Sequence, residues 1–172
     1  MPRIPALTPE QAPAESRPLL EGVQKAFGVL PNVFRTLGHS PVVLSAYLQL
    51  TQTLAKNSLT ASENEVVALA VSQANECEYC LSAHSYFGAK FGLSTEDMQR
   101  ARHGDLDIFS RFTHQIVMNH GKVSDEQISA ARSAGLTDAK IVEIIAQIAV
   151  LTITNLLNNV AQTEVDFPRV DA

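Results

Sequence analysis

Both cysteines of the chain, and one of its five histidines, fall within the stretch Asn75-Glu76-Cys77-Glu78-Tyr79-Cys80-Leu81-Ser82-Ala83-His84. On a helix, Cys77 and Cys80 are three positions apart and Cys80 and His84 four, so all three project from one face. Side chains so spaced sit about 5–6 Å apart at Cβ. A disulfide needs about 3.5–4.5 Å, so the pair can close if the first helical turn adjusts. A Cys-x-x-Cys at a helix start meets that condition. It also gains unpaired backbone N–H groups and the positive end of the helix dipole, both of which stabilise a thiolate. His84, one turn further in, can take the thiol proton or hold a cation beside the sulfur. These residues make a redox dithiol with a base attached.

The thiolate is the nucleophile, and a thiol of pKa about 8.5 is only a few per cent ionised at neutral pH. A drop of about two units makes most of it reactive. Two other readings stay open on residue types alone. Cys77, Cys80, His84 and Glu65 could ligate zinc, although no second Cys/His pair exists and the helix start would have to bend. Two buried cysteines beside a satisfied core histidine is the plain structural reading. His39, His103, His114 and His120 have no partner at functional spacing and are assigned to surface or helix-end positions.

Sustained period-two alternation between hairpin turns is missing, so the spacing predicts an all-α chain. Residues 1–18 carry five of the eight prolines and read as an extended arm lying on the body or on a neighbouring subunit. Residues 19–172 read as one helical domain with its redox motif at 65–84. Helices are expected at 19–27, 32–37 and 41–56. Thr60 and Glu63 form a capping box before a helix through 65–73 whose circumference is mostly apolar. The dithiol helix follows from about Cys77 to Phe91, with Gly92 ending it and Asn75 breaking or capping the one before. Further helices are expected at 94–104, 107–120 and 124–135, and Thr137 caps a last long one running to Ala161. The tail after Phe167-Pro168 is expected to be unstructured or to dock on a partner.

Apolar residues at 66–71 and 141–157 exceed what one small subunit should bury and point to subunit contacts. Asn155, Asn158 and Asn159 sit oddly on the second of these stripes, either bonding across an interface or capping a fraying end. Leu59-Thr60 and Leu136-Thr137 open both helices alike, the trace of a possible duplication.

Composition narrows the class. A chain of 172 residues with 45% hydrophobic content can form one domain with a real core. Net charge is −5 with Lys and Arg scattered, so nothing suggests nucleic acid or an anionic membrane. Residues 144–157 are expected to be too short to span a bilayer. The N-terminus has no signal-like apolar run, making the cytoplasm the expected location, and there a Cys-x-x-Cys is more often catalytic or metal-binding than a structural staple.

Glu65, Cys77, Cys80 and His84, in the spacing Glu-x11-Cys-x-x-Cys-x-x-x-His, resemble the alkylhydroperoxidase D-like family, also called the carboxymuconolactone decarboxylase family. Asn75, Tyr79 and the segment Gly28-Val29-Leu30-Pro31-Asn32-Val33-Phe34 are similar to its peroxidase-related branch, and the motif core covers about residues 41–92. The resemblance implies an all-α, AhpD-like helical bundle assembled as a trimer or hexamer, without cofactor or metal, that reduces organic hydroperoxides. It implies Cys80 as the attacking thiolate and Cys77 as the resolving thiol that meets an external dithiol, lipoyl or thioredoxin-like. His84 and Glu65 would form the proton relay. Lactone decarboxylation shares the fold but has no use for a dithiol. One departure is visible: the best-known hydroperoxidase has histidine immediately before its second cysteine, where this chain has Tyr79. That residue is read as packing, with a hydroxyl able to line the peroxide pocket. Along the helix Cys80 is nearer His84, and Cys77 is expected to be the more accessible sulfur.

Overall fold

A computed structural model describes residues 1–171, which form nine helices with no strand among them. They are α1 (Arg17–Phe27), α2 (Asn32–Leu37), α3 (Pro41–Leu54), α4 (Ala61–Ala74), α5 (Glu78–Lys90), α6 (Thr95–Arg102), α7 (Ile108–Met118), α8 (Asp125–Ser133) and α9 (Asp138–Ala161). Their starts follow local chemistry. The Thr60 hydroxyl accepts from Glu63 N–H while the Glu63 carboxylate accepts from Thr60 N–H, the reciprocal box expected for α4. The same exchange opens α6 at Ser94, α7 at Asp107 and α8 at Ser124. Gly92 (φ 91°) takes the left-handed turn after α5 and lets Leu93 N–H close on Gly88 C=O at 2.9 Å.

The bundle is built round α4, which packs against α5, α6, α7 and α9. Val66 to Ser72 are buried without a break. Each buried Val or Leu contributes about 1.5–3 kcal/mol, so the all-round apolar character of α4 is spent inside the subunit. It therefore needs no second subunit, contrary to the expectation from sequence. The last helix is different. It turns Ile144, Val150 and Leu151 inward, yet leaves Val142, Ile145, Ile153, Leu156 and Val160 exposed. At 24 residues it is also long and apolar enough to cross a membrane, which corrects the shorter span read from 144–157. Its inner face buries Asn155 and Asn158 among side chains of the bundle, the placement of a core helix with one bare side.

Both termini lie on the body. Arg3 N–H bonds Ala161 C=O at 2.7 Å, the Arg35 guanidinium holds the carbonyls of Ala6 and Leu7, and Ala12 is buried. The C-terminal segment neither dangles nor waits for a partner, which corrects the expectation for it. Asn32 binds Asp166 and Glu164, the Ser82 hydroxyl accepts from Val170 N–H at 3.0 Å, and Arg102 donates to Asp171 C=O at 2.6 Å. Residues 163–171 thus form a strap across α2, α5 and α6.

Candidate active site

The turn between α4 and α5 sets the two sulfurs. Glu76 adopts a left-handed conformation (φ 50°), and Cys77 N–H returns to Ser72 C=O at 2.9 Å, closing α4 with a Schellman turn. A non-glycine residue there carries a cost of roughly 1–2 kcal/mol, offset by ties from α9. Asn75 donates to the Asn155 side chain at 2.9 Å, and the Asn159 side chain donates to Asn75 C=O at 2.7 Å. The three asparagines of α9 therefore act within the subunit.

Cys77 is the N-cap of α5, in extended conformation, and its Sγ accepts from Cys80 N–H at 3.2 Å. The two cysteines are joined as a disulfide, with Cα atoms 5.3 Å apart. The adjustable first turn asked of the sequence is this cap. A sulfur at N-cap points at the free N–H groups of the helix start, a setting that favours its thiolate when the bond is reduced. Cys80 Sγ receives a second contact, from Asn158 Nδ2 at 3.3 Å. Both sulfurs are buried, Cys77 at 0% and Cys80 at 3% exposure, so Cys77 is not the more accessible one. The strap and α9 cover the helix end that its position along the chain leaves open.

His84 and Glu65 meet across α4 and α5, with Nδ1 2.8 Å from Oε2. Their side chains keep 23% and 13% exposure, enough to exchange protons with solvent. Nδ1 is thereby engaged, and Nε2 is the nitrogen left to face the reacting groups. Cys80 and His84 both line a cavity of about 160 Å³, and Cys77 does not. The rest of that wall is mainly aromatic: Phe27, Phe34, Tyr47, Tyr79, Phe87 and Phe167. A larger polar depression of about 580 Å³ lies beyond Tyr79 and Asn158, lined by Glu76, Glu78, Asn159 and Arg169. It touches neither sulfur nor the histidine, so the motif side chains Cys80 and His84 open on the smaller space.

The Tyr79 ring joins that wall while its hydroxyl turns to the strap. The hydroxyl accepts from Val33 N–H at 3.2 Å and bonds the Asp166 side chain. Burial first, then the Asp166 carboxylate, push the phenol well above its ordinary range, so it stays protonated. Burial likewise raises Tyr47. Tyr79 is thus an anchor standing where the resemblance puts an extra histidine, and His84 is the one histidine in the lining of this cavity. Among the described residues no three His, Cys, Asp or Glu side chains converge to hold a metal, because Glu65 is bound to His84 and the sulfurs to each other. The aromatic wall and the role of Asn158 lie beyond what the sequence reveals. The rings come from four helices and the strap and share no local period, while the three asparagines on an apolar stripe are a signal without an address.

A nine-helix bundle with a dithiol at the start of one helix and a His–Glu pair one turn away has the AhpD-like fold. The model of the carboxymuconolactone decarboxylase family matches residues 41–108, the segment that holds all four motif residues. The fold matches the alkylhydroperoxidase AhpD core of a peroxidase-related protein from Ralstonia eutropha, with TM-score 0.83 and 24% identity over 96% of this chain and 92% of that one. A peroxidase-related protein from Silicibacter sp. matches with TM-score 0.77 and 22% identity over 94% and 88% of the two chains. The debrominase Bmp8, solved as a variant in complex with 2,3,4-tribromopyrrole, matches with TM-score 0.75 and 19% identity over 95% and 91%. No curated protein matches the sequence.

Proposed function

We propose that this chain is a thiol-dependent peroxidase that reduces organic hydroperoxides with the Cys77–Cys80 dithiol. The observation that carries the reading is the cavity in which Cys80 and the Glu65-bound His84 share a wall, with Cys77 behind them in bonding reach of Cys80. In the reduced protein His84 takes the Cys80 proton, and the imidazolium is held by the Glu65 carboxylate. The thiolate attacks the outer peroxide oxygen. The O–O bond breaks, the alkoxide leaves and takes the proton from His84, and Cys80 is left as a sulfenic acid. Cys77 then attacks that sulfur, expelling water and closing the disulfide. Two thiols and one hydroperoxide give one disulfide, one alcohol and one water. Exchange with an external dithiol, lipoyl or thioredoxin-like, reopens the bond, and a reducing cytoplasm suits that step.

The working unit is a homo-oligomer, a trimer or hexamer. On α9 the exposed apolar residues Val142, Ile145, Ala149, Ile153, Leu156 and Val160 follow one another at intervals of three and four, a stripe made for a second helix. The subunit exposes 9134 Å², whereas a compact monomer of its 18.6 kDa exposes about 8,200 Å². The excess is about one subunit's share of a standard interface. Light scattering that finds a stable monomer at micromolar concentration removes this assembly.

The decisive experiment counts free thiols in the reduced protein before and after one equivalent of hydroperoxide. Cys77→Ser should consume one equivalent and leave a trappable sulfenic acid on Cys80, whereas Cys80→Ser should keep no fast thiol. Thiols that react no faster than free cysteine overturn the peroxidase. Because Bmp8 is a debrominase, a bromopyrrole belongs among the oxidants. Bromide release with no reaction toward hydroperoxides would move the dithiol to that reduction instead.

A further inference from the structure

Six of the ten aromatic side chains in the sequence surround the one cavity that contains Cys80 and His84. They form an unbroken succession. Tyr47 and Phe34 have ring centroids 6.2 Å apart, Phe34 and Phe27 5.7 Å, and Phe27 and Phe87 6.4 Å. Phe87 and Phe167 follow at 5.9 Å, and Phe167 meets Tyr79 edge to face at 5.8 Å. These separations are the ones aromatic rings prefer. Rings that only filled a core would close on each other, but these leave about 160 Å³ between them. An apolar cavity of about 150 Å³ takes up benzene. Besides the two tyrosines, the polar residues of this cavity's lining are Cys80, His84, Thr154 and Asn158, of which Asn158 touches Cys80 Sγ at 3.3 Å. There the Asn158 Oδ1, on a residue 4% exposed, has no hydrogen-bond partner.

We infer that this cavity binds a single aromatic ring, with the reducible group of the substrate directed to the polar corner at Cys80, His84 and Asn158. The inference deepens the peroxidase reading and rests on it for the reaction. The ring site itself rests on the cavity. Size and lining select the class. One six-membered ring fills the space, fused rings exceed it, and a small branched alkyl group leaves the ring faces without contacts. Asn158 Oδ1 accepts the O–H of an arriving hydroperoxide, which supplies its missing partner. Phe167 closes the cavity from the strap, so the last residues of the chain set which substrates fit. Phe27, half-exposed, stands at the mouth.

Two measurements test this on the full chain. In the first, fluorobenzene and fluorocyclohexane, alike in size, are titrated into the disulfide form and followed by fluorine NMR. Fluorobenzene should bind saturably and about tenfold or more tightly than fluorocyclohexane, and Phe167→Ala should weaken it about tenfold. Phe27→Ala, at an exposed position, should weaken it too and guards against misfolding of the strap variant. In the second, the reduced protein meets cumene hydroperoxide and tert-butyl hydroperoxide, which differ by the ring. The first turnover should favour the aryl compound at least about tenfold, and Phe167→Ala should bring the two within about threefold. Equal binding of the two fluorinated probes, or no saturable binding of either, overturns the ring site even if both hydroperoxides are reduced. Ring binding with no hydroperoxide consumed upholds the site and overturns the peroxidase.

Discussion

The disulfide has two unlike sides. On one, Cys80 looks into an aromatic cavity with a partly solvated His–Glu pair at its edge. On the other, Asn75, Asn155 and Asn159 lace the turn before Cys77 to α9 through amide hydrogen bonds, and the buried Asn158 donates to Cys80 Sγ. The aromatic side leaves space and makes few directed contacts, as a surface that must accept and release a ligand does. The amide side specifies geometry through directed hydrogen bonds, each of which costs about 1–3 kcal/mol to leave unmade in a buried setting. Chemistry and positioning are thus divided between the two faces of a single bond. Substitutions on the first should change rates while sparing stability, and those on the second should change sulfur ionisation and folding.

The largest effect tests the first half. Replacing His84 by Ala should slow the first peroxide turnover by about a hundredfold or more, the usual cost of losing a general base. Glu65→Gln, which keeps the shape but removes the charge that holds the imidazolium, should cost less. Both variants should unfold in denaturant at nearly the wild-type midpoint, since the pair is partly solvated and such ion pairs contribute little. A midpoint that falls steeply while the rate holds would break the division, making the dyad structural.

Asn158 tests the boundary, because its amide belongs to the second side yet touches the reacting sulfur. Its Nδ2 donor lies 3.3 Å from Cys80 Sγ. A hydrogen bond to a charged group is worth about 1.5–3 kcal/mol, so Asn158→Ala should raise the thiol pKa by about one to two units. The pH profile of the first turnover should move to higher pH by that amount, and the plateau above it should stay within a few-fold of wild type. A lowered plateau with an unmoved profile would mean that the amide serves the substrate through Oδ1 and leaves the sulfur's ionisation untouched.

The same division explains what the sequence makes legible. Glu65, Cys80 and His84 are readable because α4 and α5 are regular, and residues on regular helices face where their spacing says, while Cys77 is fixed as the cap before α5. The capping box read at Thr60 and Glu63 is equally local, and the start of α4 follows from it to within a residue or two. The amide side is visible only as polar residues on an apolar stripe, since which turn they hold depends on how α9 crosses α4. The exposure expected of Cys77 fails for the same reason: a helix start is open only until other segments cover it. The aromatic side is invisible. Its rings are gathered from α1, α2, α3, α5 and the strap, and no short window of sequence holds more than a few of them.

Tyr79 joins the two sides, with its ring in the cavity wall and its hydroxyl fastening the strap, and it offers the smallest and sharpest test. Tyr79→Phe keeps the ring but leaves the buried Val33 N–H without its acceptor, which should cost about 1–2 kcal/mol of stability at pH 7. The wild-type phenol is raised above its ordinary value of 10.0 by burial and by Asp166. Below pH 10 both folded and unfolded chains keep the proton, and the full contribution of the hydroxyl is present. Above it the unfolded chain loses the proton while the folded chain holds it. The folded state then binds more protons, so stability falls as pH rises, by about 1.4 kcal/mol per unit. The variant's phenyl ring has no such proton, and Tyr47, also raised by burial, contributes alike to both proteins. The stability gap between them should therefore be constant from pH 7 to about 9 and close by about pH 11. Denaturant titrations across that range measure it. A gap that stays constant to pH 11 would place the hydroxyl in solvent, and the strap could not then be the wall that Phe167 needs.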